Sequence, residues 1–229
     1  MAPTPQQKDL EAVFDAATIY TAYERRPLRI YIMVKRGFDL IAASLGLILL
    51  SPLFLLVAVF IKLESPKGSV FFYQTRVGRN EQTFRMFKFR SMVANAEEML
   101  ETLLSKNEIE GAMFKMKEDP RITKVGKFIR KTSIDELPQL WNVIRGDMSL
   151  VGPRPALPRE VNEYTSYDKL RLKVLPGCTG LWQVSGRNEL SFKEMVELDL
   201  KYIEERGFLL DLKLMLLTVR VMFGSKNAY

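Results

Sequence analysis

The sequence contains no histidine and only one cysteine, Cys178, among its 229 residues. The absence of histidine excludes Ser-His-Asp and Cys-His catalysis, together with most zinc sites. One cysteine cannot form an intrachain disulfide, so the composition suits a reducing compartment. Acid–base or covalent chemistry must therefore rest on Asp, Glu, Lys, Tyr, Ser or Thr side chains, with or without a hard metal ion.

The common nucleotide-binding loops are also absent. Neither a Walker A loop nor a Gly-x-Gly-x-x-Gly motif occurs, so an ATP or dinucleotide site would lack its phosphate cradle. The net charge of +7 instead indicates anionic partners, such as phosphates, acidic lipids or nucleic acid. A hydrophobic share of 47% is ordinary for a globular protein, so any membrane insertion must be local.

One long run lacks charge altogether, from Leu40 to Ile61. As a helix its 22 residues would be about 33 Å long, close to the thickness of the hydrocarbon layer. Ser51-Pro52 lies at the middle of the run, where proline removes a helical hydrogen bond. Basic residues flank both ends, so the charge distribution does not orient a transmembrane span.

Three interpretations of this run remain open: a kinked span, a re-entrant hairpin bent at Pro52 with both ends cytoplasmic, and the buried core helix of a soluble protein. The symmetric flanking charge favours the hairpin. We therefore predict an N-terminal extension over residues 1–30 and a re-entrant membrane helix over residues 31–62, broken at Ser51-Pro52. A cytosolic domain over residues 63–229 follows.

The hydrophobic period changes after the apolar run. Alternation in SVFFYQTRVGRNEQTFRMFKFRSM, interrupted at Gly78, predicts a β-hairpin of Val70–Val77 with Thr83–Phe89. In DPRITKVGKFIRKTS, Phe128 and Ile129 share the apolar face of an expected helix. The final apolar stretch is weakly amphipathic, because its polar residues do not gather on one face, and either lies on a membrane or closes the core. The predicted fold class is α+β and mostly helical.

Two adjacent acids, Asp135 and Glu136, follow a basic run in RKTSIDELPQLWNVIRGDMSLVGPRP. Ser133 and Glu136 match a capping box, which predicts a helix that starts here and ends at Gly146. The helix dipole and the upstream cations would then lower the pKa of Asp135. An ionised carboxylate of this kind suits metal binding or attack on phosphorus. The alternative is a purely structural helix cap.

Basic residues around this pair could bind a diphosphate. Arg154 stands between two prolines and Arg187 follows a glycine, and the planar guanidinium matches phosphate oxygens bidentately. With Lys88, Arg130 and Mg²⁺ on the two acids, the set favours phosphoryl transfer.

Two competing patterns are weaker. The acids Glu197 and Asp199 in ELDLKY resemble metal-binding acid pairs, but they lie in an amphipathic pattern that predicts a surface position. The basic, aromatic hairpin could bind nucleic acid. A neighbouring membrane segment disfavours that reading.

Taken together, the motifs closely resemble those of the bacterial sugar transferases, the monotopic phosphoglycosyl transferases that begin the assembly of cell-surface glycans. The resemblance runs from Lys35 nearly to the end of the chain, through KRGFD, SP, RVGRN, FKFRSM, DPRIT, RKTSIDELPQLWNVIRGDMSLVGPRP, PGCTGLWQVSGRN and LDLK. The chain resembles a small, catalytic-core form of the family, because the additional transmembrane helices of the larger members do not precede these motifs.

The resemblance implies a reaction in which a UDP-sugar gives a sugar-1-phosphate to undecaprenyl phosphate and releases UMP. Such a step opens exopolysaccharide, capsule or O-antigen synthesis. Asp135 matches the nucleophile that forms a covalent phosphosugar intermediate, and Glu136 matches its partner, with Mg²⁺ at both. The motif GLWQVSGRN is more similar to members that transfer galactose or glucose than to those that move N-acetylated sugars.

The remaining site residues follow from the same resemblance. The basic active-site positions fall on Lys88, Arg130, Arg154 and Arg187, and Ser51-Pro52 matches the membrane hinge. The family implies a hairpin in the inner leaflet of the bacterial cytoplasmic membrane, a catalytic domain on the cytoplasmic face, and no nucleic-acid partner. The oligomeric state stays open, a homodimer included.

Two other functional classes also stay open. One is a membrane-associated UDP-sugar glycosyltransferase that releases UDP. The other is a non-catalytic, membrane-anchored binder of anionic polymers.

Overall fold

The computed structural model describes residues 26–103, 116, 119–186 and 190–224. Residues 1–25 of the predicted N-terminal extension lie outside this part. Within it the chain is mostly helical, with two small sheets. The helices are α1 (Arg26–Glu64), α2 (Ala96–Leu103), α3 (Lys124–Lys131), α4 (Gln139–Arg145), α5 (Pro158–Val161), α6 (Leu181–Ser185), α7 (Phe192–Glu205) and α8 (Phe208–Gly224), and the strands are β1 (Phe71–Val77), β2 (Thr83–Phe89), β3 (Ser149–Val151) and β4 (Gly177–Thr179).

The predicted β-hairpin is confirmed. Strands β1 and β2 pair antiparallel, from Phe71 opposite Phe89 to Val77 opposite Thr83. Asn80 and Glu81 have positive φ angles in the turn between them, a conformation that asparagine tolerates better than most residues. Strands β3 and β4 form a second, parallel pair of three residues each, which the sequence pattern did not predict.

Helix α1 contains the apolar run and is 39 residues long. Within the described ranges, Leu28–Glu64 is the one helical segment long and apolar enough to cross a membrane, and only 11% of its most apolar window is buried. The core helix of a soluble protein would be mostly buried. The core-helix interpretation is therefore wrong, and the outer face of α1 is available to lipid.

The backbone of α1 stays helical through Ser51 and Pro52, so the predicted break between two helices is not present. A proline at position 52 cannot donate the amide hydrogen bond that the Ile48 carbonyl would receive. The Ser51 hydroxyl donates to that carbonyl instead, at 2.7 Å. Because the carbonyl keeps a donor, the helix passes the proline without an unsatisfied group. The re-entrant path itself stays a prediction.

Polar bonds fasten both ends of α1 to the rest of the chain. Near its start, Lys35 forms an ion pair of 2.7 Å with Asp211 of α8. The Arg36 guanidinium donates to two carbonyls at the end of α4, those of Val143 and Ile144. At the other end, the Glu64 carboxylate accepts the first two amides of α3, at 2.7 and 2.9 Å. These amides lack helical partners, so Glu64 caps α3 from outside.

The inner face of α1 also packs into the core. One cluster joins Ala43 of α1 to Met86 of β2 and to Val143. Another joins Val57 and Ile61 of α1 to β2 and α3. A larger cluster lies between β3, α7 and α8, around the fully buried Tyr202. The domain therefore covers one face of the apolar helix along most of its length.

Of two expectations about the amphipathic helices, one is wrong and one is confirmed. The sequence predicts Phe128 on the apolar face of α3, but Phe128 is 62% exposed, while Ile129 is buried. In α8 the polar residues do not gather on one face, as predicted, because Asp211 is buried whereas Lys213 and Arg220 are exposed. Both helices therefore present apolar side chains outward, next to cations.

Gly126 of α3 provides a test of how closely the elements pack. A Cβ atom at this position would lie 1.9 Å from the Ser91 carbonyl oxygen, whereas a Cβ at Gly37 of α1 would meet nothing within 4 Å. We expect Gly126→Ala to lower the free energy of unfolding by about 1–3 kcal/mol, because backbone must move. Gly37→Ala should be neutral or slightly stabilising, since alanine is the better helix former.

The measurement is the melting temperature of both variants in the same detergent. Equal melting temperatures for the two variants would contradict the close contact of α3 with Ser91.

Candidate active site

Three of the predicted site residues, Lys88, Glu136 and Arg154, meet at a cleft between the β1–β2 hairpin, the turn before α4, and the loop after β3, while Asp135 does not line it. Its cavity volume is about 100 Å³, and it is open to solvent. Antiparallel pairing gives the hairpin one face toward this cleft, because residues directly opposite each other point the same way. The lining residues are Arg76, Met86, Lys88, Glu136, Gln139, Arg154, Pro155, Gly177, Cys178, Trp182 and Gln183.

Lys88 and Glu136 form the central ion pair of the cleft, with 2.6 Å between Nζ and Oε1. Lys88 comes from β2, and Glu136 comes from the short 3₁₀ turn Ile134–Glu136. Desolvation works to raise the pKa of Glu136, but the Lys88 ammonium and the Arg154 and Arg76 guanidinium groups hold it below its usual value. Glu136 is therefore a carboxylate, and it fixes where the Lys88 ammonium lies.

Asp135 lies behind this pair and is only 7% exposed. The sequence predicted a lowered pKa, and this is wrong: burial raises the pKa of Asp135 to about 6, and the Glu136 carboxylate adds to the rise. The Lys88 and Arg130 cations oppose it without cancelling it. Desolvation of a charged group outweighs nearby cations here. The buried carboxylate is less hydrated than one at a surface.

The predicted capping box at Ser133 is also wrong. Ser133 has a left-handed backbone, with φ 56°, and its side chain caps nothing. The partner residue of the expected box, Glu136, bonds Lys88 instead. Helix α4 begins only after Pro138, which precedes its first residue, and ends before Gly146 at φ 87°, as predicted. Asp135 therefore lies in a 3₁₀ turn and not at the N-terminus of an α-helix, so the dipole argument does not apply.

Arg130 is the last arginine of α3, and its Nε donates to the Ser91 hydroxyl at 2.9 Å. The side chain of Arg130 is exposed and acts electrostatically on Asp135. It does not line the cleft itself. Arg130 thus influences the acid pair through its charge but does not contact the Lys88–Glu136 ion pair.

The loop Gly152-Pro153-Arg154-Pro155 is held by backbone on both sides. The amide of Gly152 donates to Thr179, and the amide of Gly177 donates to Pro153, both at 2.8 Å. A Cβ at Gly177 would lie 2.1 Å from the Gly152 nitrogen, so only glycine permits this approach. The exposed Arg154 guanidinium projects from this loop into the cleft, with its Cζ 5.9 Å from the Trp182 ring.

The predictions for Arg187 and for the acids Glu197 and Asp199 have different outcomes. Arg187 lies outside the described residues, so its role stays a prediction. The surface position predicted for Asp199 is wrong, because Asp199 is fully buried and ion-paired with Arg171. Its neighbour Glu197 is exposed and accepts a hydrogen bond from Tyr167. These two acids therefore point to different surroundings and do not form a metal site together.

The donor set of the acid pair is compatible with Mg²⁺. In the described ranges, no group of three or more acidic or cysteine side chains comes together to hold a metal. Mg²⁺ does not require one, because it is commonly held by one or two carboxylates and completes its shell with water and substrate phosphates. Asp135 and Glu136 are the two carboxylates that would hold it.

Several cleft residues were not predicted. Arg76 lies two residues after Gln74 on β1, so the two side chains face the same side of the strand. Strand alternation in the sequence could therefore have indicated the orientation of Arg76. Cys178 comes from β4 and Trp182 from α6, and no local pattern indicates the positions of these elements. Burial, with the nearby Glu136 carboxylate, raises the pKa of the Cys178 thiol, so it is uncharged and a poor nucleophile at neutral pH.

Comparisons with known proteins match nearly the whole chain to one family. Residues 30–225 match the model of a family described as bacterial sugar transferase. The chain is 49% identical over 201 residues to the galactosyl transferase CpsE of Streptococcus agalactiae, covering 86% of this chain but 44% of that protein. It is 44% identical to the exopolysaccharide production protein ExoY of Rhizobium meliloti, covering 86% of this chain and 88% of ExoY. It is 43% identical to the undecaprenyl-phosphate galactose phosphotransferase of Salmonella typhimurium, covering 86% and 42%. The chain thus spans less than half of two of these relatives and most of the third.

Asn142 fastens the hairpin to α4 and so provides a test of the cleft. Its fully buried amide accepts from Phe87 and donates to Arg85 and Asp147. Asn142→Asp replaces two donated hydrogen bonds by a carboxylate facing oxygen atoms. We expect a loss of roughly 3 kcal/mol in the free energy of unfolding, and reduced turnover below the melting temperature, since Lys88 follows Phe87 in the chain.

The matched control is the same change at the exposed Asn95, which should leave both quantities unchanged. An unaltered melting temperature for Asn142→Asp would contradict the fastening role.

Proposed function

The chain belongs to the bacterial sugar transferase family, and from this premise we propose that it is a phosphoglycosyl transferase. It transfers a hexose-1-phosphate from a UDP-sugar to undecaprenyl phosphate and releases UMP. The name of the Salmonella relative supports an undecaprenyl phosphate acceptor and galactose, and the name of the Streptococcus relative supports galactose. Glucose, which the name of a Komagataeibacter xylinus relative contains, is the next candidate sugar. The name of the Rhizobium relative supports exopolysaccharide synthesis as the product pathway.

The observation that carries this proposal is a cleft in which Glu136 meets cations from three separate elements, with Asp135 buried next to it in the same turn. Glu136 is ion-paired with Lys88, and Arg154 and Arg76 face the same space. Such a site has carboxylates to attack or to hold a metal, and cations to hold phosphates. This composition suits phosphoryl transfer better than proton-transfer chemistry.

The reaction has two displacements at one phosphorus atom. An Asp135 carboxylate oxygen attacks the β-phosphorus of the donor, a new P–O bond forms, and the bond to UMP breaks with its electron pair leaving on UMP. A phosphate oxygen of undecaprenyl phosphate then attacks the same phosphorus and releases the Asp135 carboxylate. The two anionic substrates therefore use one phosphate site in turn and do not meet.

The surrounding residues hold charges in place for these steps. Burial leaves the Asp135 carboxylate less hydrated, which favours attack over solvation. Lys88 stands beside both acids, and Arg154 projects from a loop fixed on both sides. Mg²⁺, when bound by the carboxylates of Asp135 and Glu136, supplies positive charge for the donor phosphates.

The contacts of α1 argue against a helix that crosses the membrane. The apolar run begins after Lys35 and Arg36 and ends before Glu64, and all three bind the same domain. A straight span of about 33 Å would carry the domain that binds both of its ends into the hydrocarbon layer. The proposed re-entrant path through the inner leaflet, with the domain in the cytoplasm, avoids this and requires the continuous helix to bend at Pro52 in lipid.

Helix α8 supports the same placement. Its exposed side carries Leu209, Leu212, Leu216 and Val219, with Lys213 and Arg220 at one edge. An apolar arc bordered by cations is the pattern of helices that lie in the lipid interface. Phe208 contacts Phe38 of α1, with ring centroids 5.5 Å apart, so the two exposed faces are neighbours. The cleft would then lie near headgroup depth, where the acceptor phosphate lies.

Replacement of the nucleophile provides the main test. We expect Asp135→Asn to abolish turnover of UDP-galactose or UDP-glucose while the protein stays folded, because a buried amide removes the charge without changing shape. The exposed Glu205→Gln is the matched control and should keep parent activity. The assay measures nucleotide release with undecaprenyl phosphate across a panel of UDP-sugars, including N-acetylated ones.

The product of that assay separates the candidate functions. UMP supports the proposal, UDP indicates a simple glycosyltransferase, and no turnover with any donor indicates a non-catalytic binder. Mass spectrometry of enzyme given donor without acceptor should find the phosphosugar on the peptide that contains Asp135. Substantial activity in Asp135→Asn would refute the assignment of the nucleophile.

Cysteine labelling tests the membrane path. In a Cys178→Ala background, single cysteines at Arg29 and Lys67 would flank the apolar run on exposed positions. We expect a membrane-impermeant maleimide to label both sites in inside-out vesicles and neither in right-side-out vesicles. Labelling of the two sites from opposite sides would show a span and contradict the re-entrant path.

A further inference from the structure

Arg76 is a buried cation whose partners are all neutral. It lies on β1, facing the cleft, and only 5% of it is exposed. Its guanidinium donates to the Pro155 carbonyl at 2.9 Å and to the Gln74 side-chain oxygen at 2.7 Å. Its Nε has no hydrogen-bond acceptor among the residues that the structure describes. A buried guanidinium normally requires a carboxylate to offset its desolvation.

No carboxylate of the described chain lies within ion-pair distance of Arg76. The two acids that act on it from farther away are engaged elsewhere: Glu136 binds Lys88, and Glu160 accepts the amide of Leu157. Burial, with a contribution from the Arg154 charge, lowers the pKa of Arg76 to about 10. Arg76 therefore keeps its charge at neutral pH in unfavourable surroundings.

Arg171 provides the contrast, because it is equally buried, at 5% exposure. Its guanidinium is ion-paired with the buried carboxylate of Asp199. The protein thus supplies an internal anion where a buried arginine has a structural role. It supplies none at Arg76, which lines the cleft beside Arg154.

The cleft as a whole has an excess of positive charge. Three cations line it, Arg76, Lys88 and Arg154, against one carboxylate, Glu136, which Lys88 already neutralises. The two guanidinium groups repel each other, and an anion between them would offset both charges. A diphosphate has the required charge and the oxygen geometry that arginine prefers.

We propose that Arg76 is a further substrate-binding residue, whose charge is neutralised by the diphosphate of the donor nucleotide sugar. This inference rests on the proposed function, since it takes a nucleotide diphosphate as the ligand. Arg76 lies at the buried end of the diphosphate site. Its hydrogen bond to the Pro155 carbonyl also positions the loop that carries Arg154. The lipid phosphate is the other anion that visits the cleft, and the test separates the two.

The test compares Arg76→Gln, Arg76→Lys and Arg171→Gln in the full chain, with Mg²⁺ present. Affinities for UDP and for inorganic pyrophosphate are measured by titration calorimetry, and melting temperatures are measured without ligand. We expect Arg76→Gln to weaken both affinities about tenfold or more, the effect of one charge-assisted contact. Its melting temperature should be equal to or above that of the parent, since an uncompensated buried charge is removed. Arg76→Lys should restore most of the affinity.

Arg171→Gln should behave in the opposite way. It leaves the Asp199 carboxylate buried without its partner, so the melting temperature should fall by several degrees while UDP affinity is kept. Steady-state kinetics should give a raised KM for the UDP-sugar and an unchanged KM for undecaprenyl phosphate in Arg76→Gln.

Parent-like UDP affinity in Arg76→Gln, or a raised KM for the lipid alone, would overturn the inference. A drop in melting temperature like that of Arg171→Gln, not restored by lysine, would assign Arg76 a structural role and also overturn it. If the parent protein binds neither UDP nor pyrophosphate, the proposed function fails first.

Discussion

The polar fastening of α1 is the constraint on which the rest of the structure depends. The helix has an apolar outer face, yet charged groups at both of its ends bind the domain, through Arg36, the Lys35–Asp211 pair and Glu64. These bonds fix the domain to the helix at a set height. Because Glu64 also caps α3, the same contact positions Arg130 and the turn that carries the acid pair. The position of α1 and the geometry around the acid pair are thus determined by shared bonds.

The cleft combines groups that are individually unfavourable for folding. Asp135 is a buried carboxylate, and Arg76 is a buried guanidinium with neutral partners. Folded proteins usually place opposite charges in contact, as Arg171 and Asp199 do here. The cleft instead leaves positive charge without a counterion and one acid partly desolvated. Residues that reduce stability in this way concentrate where ligand charge completes the arrangement.

Local patterns in the sequence predicted the hairpin, the end of α4 at Gly146 and the meeting of Lys88, Glu136 and Arg154 in one place. These features depend on neighbouring residues, such as strand alternation or a glycine after a helix. The failures share a different cause. The capping box at Ser133 failed because Glu136 bonds a lysine 48 residues away. The pKa of Asp135 was predicted with the wrong sign because burial, which depends on the whole fold, outweighs the charges next to it in sequence.

The hydroxyl of Ser51 has a consequence for how the membrane helix tolerates change. Lipid offers no hydrogen-bond donor, so a bare carbonyl within hydrocarbon is costly. Serine at 51 is useful because a proline follows it, and the proline is tolerable because that serine precedes it. Loss of the hydroxyl would leave the Ile48 carbonyl without a donor, whereas loss of the proline ring would restore the backbone amide and make the hydroxyl redundant. The two positions therefore tolerate change unequally, and the serine is the one that the helix needs as long as the proline is present.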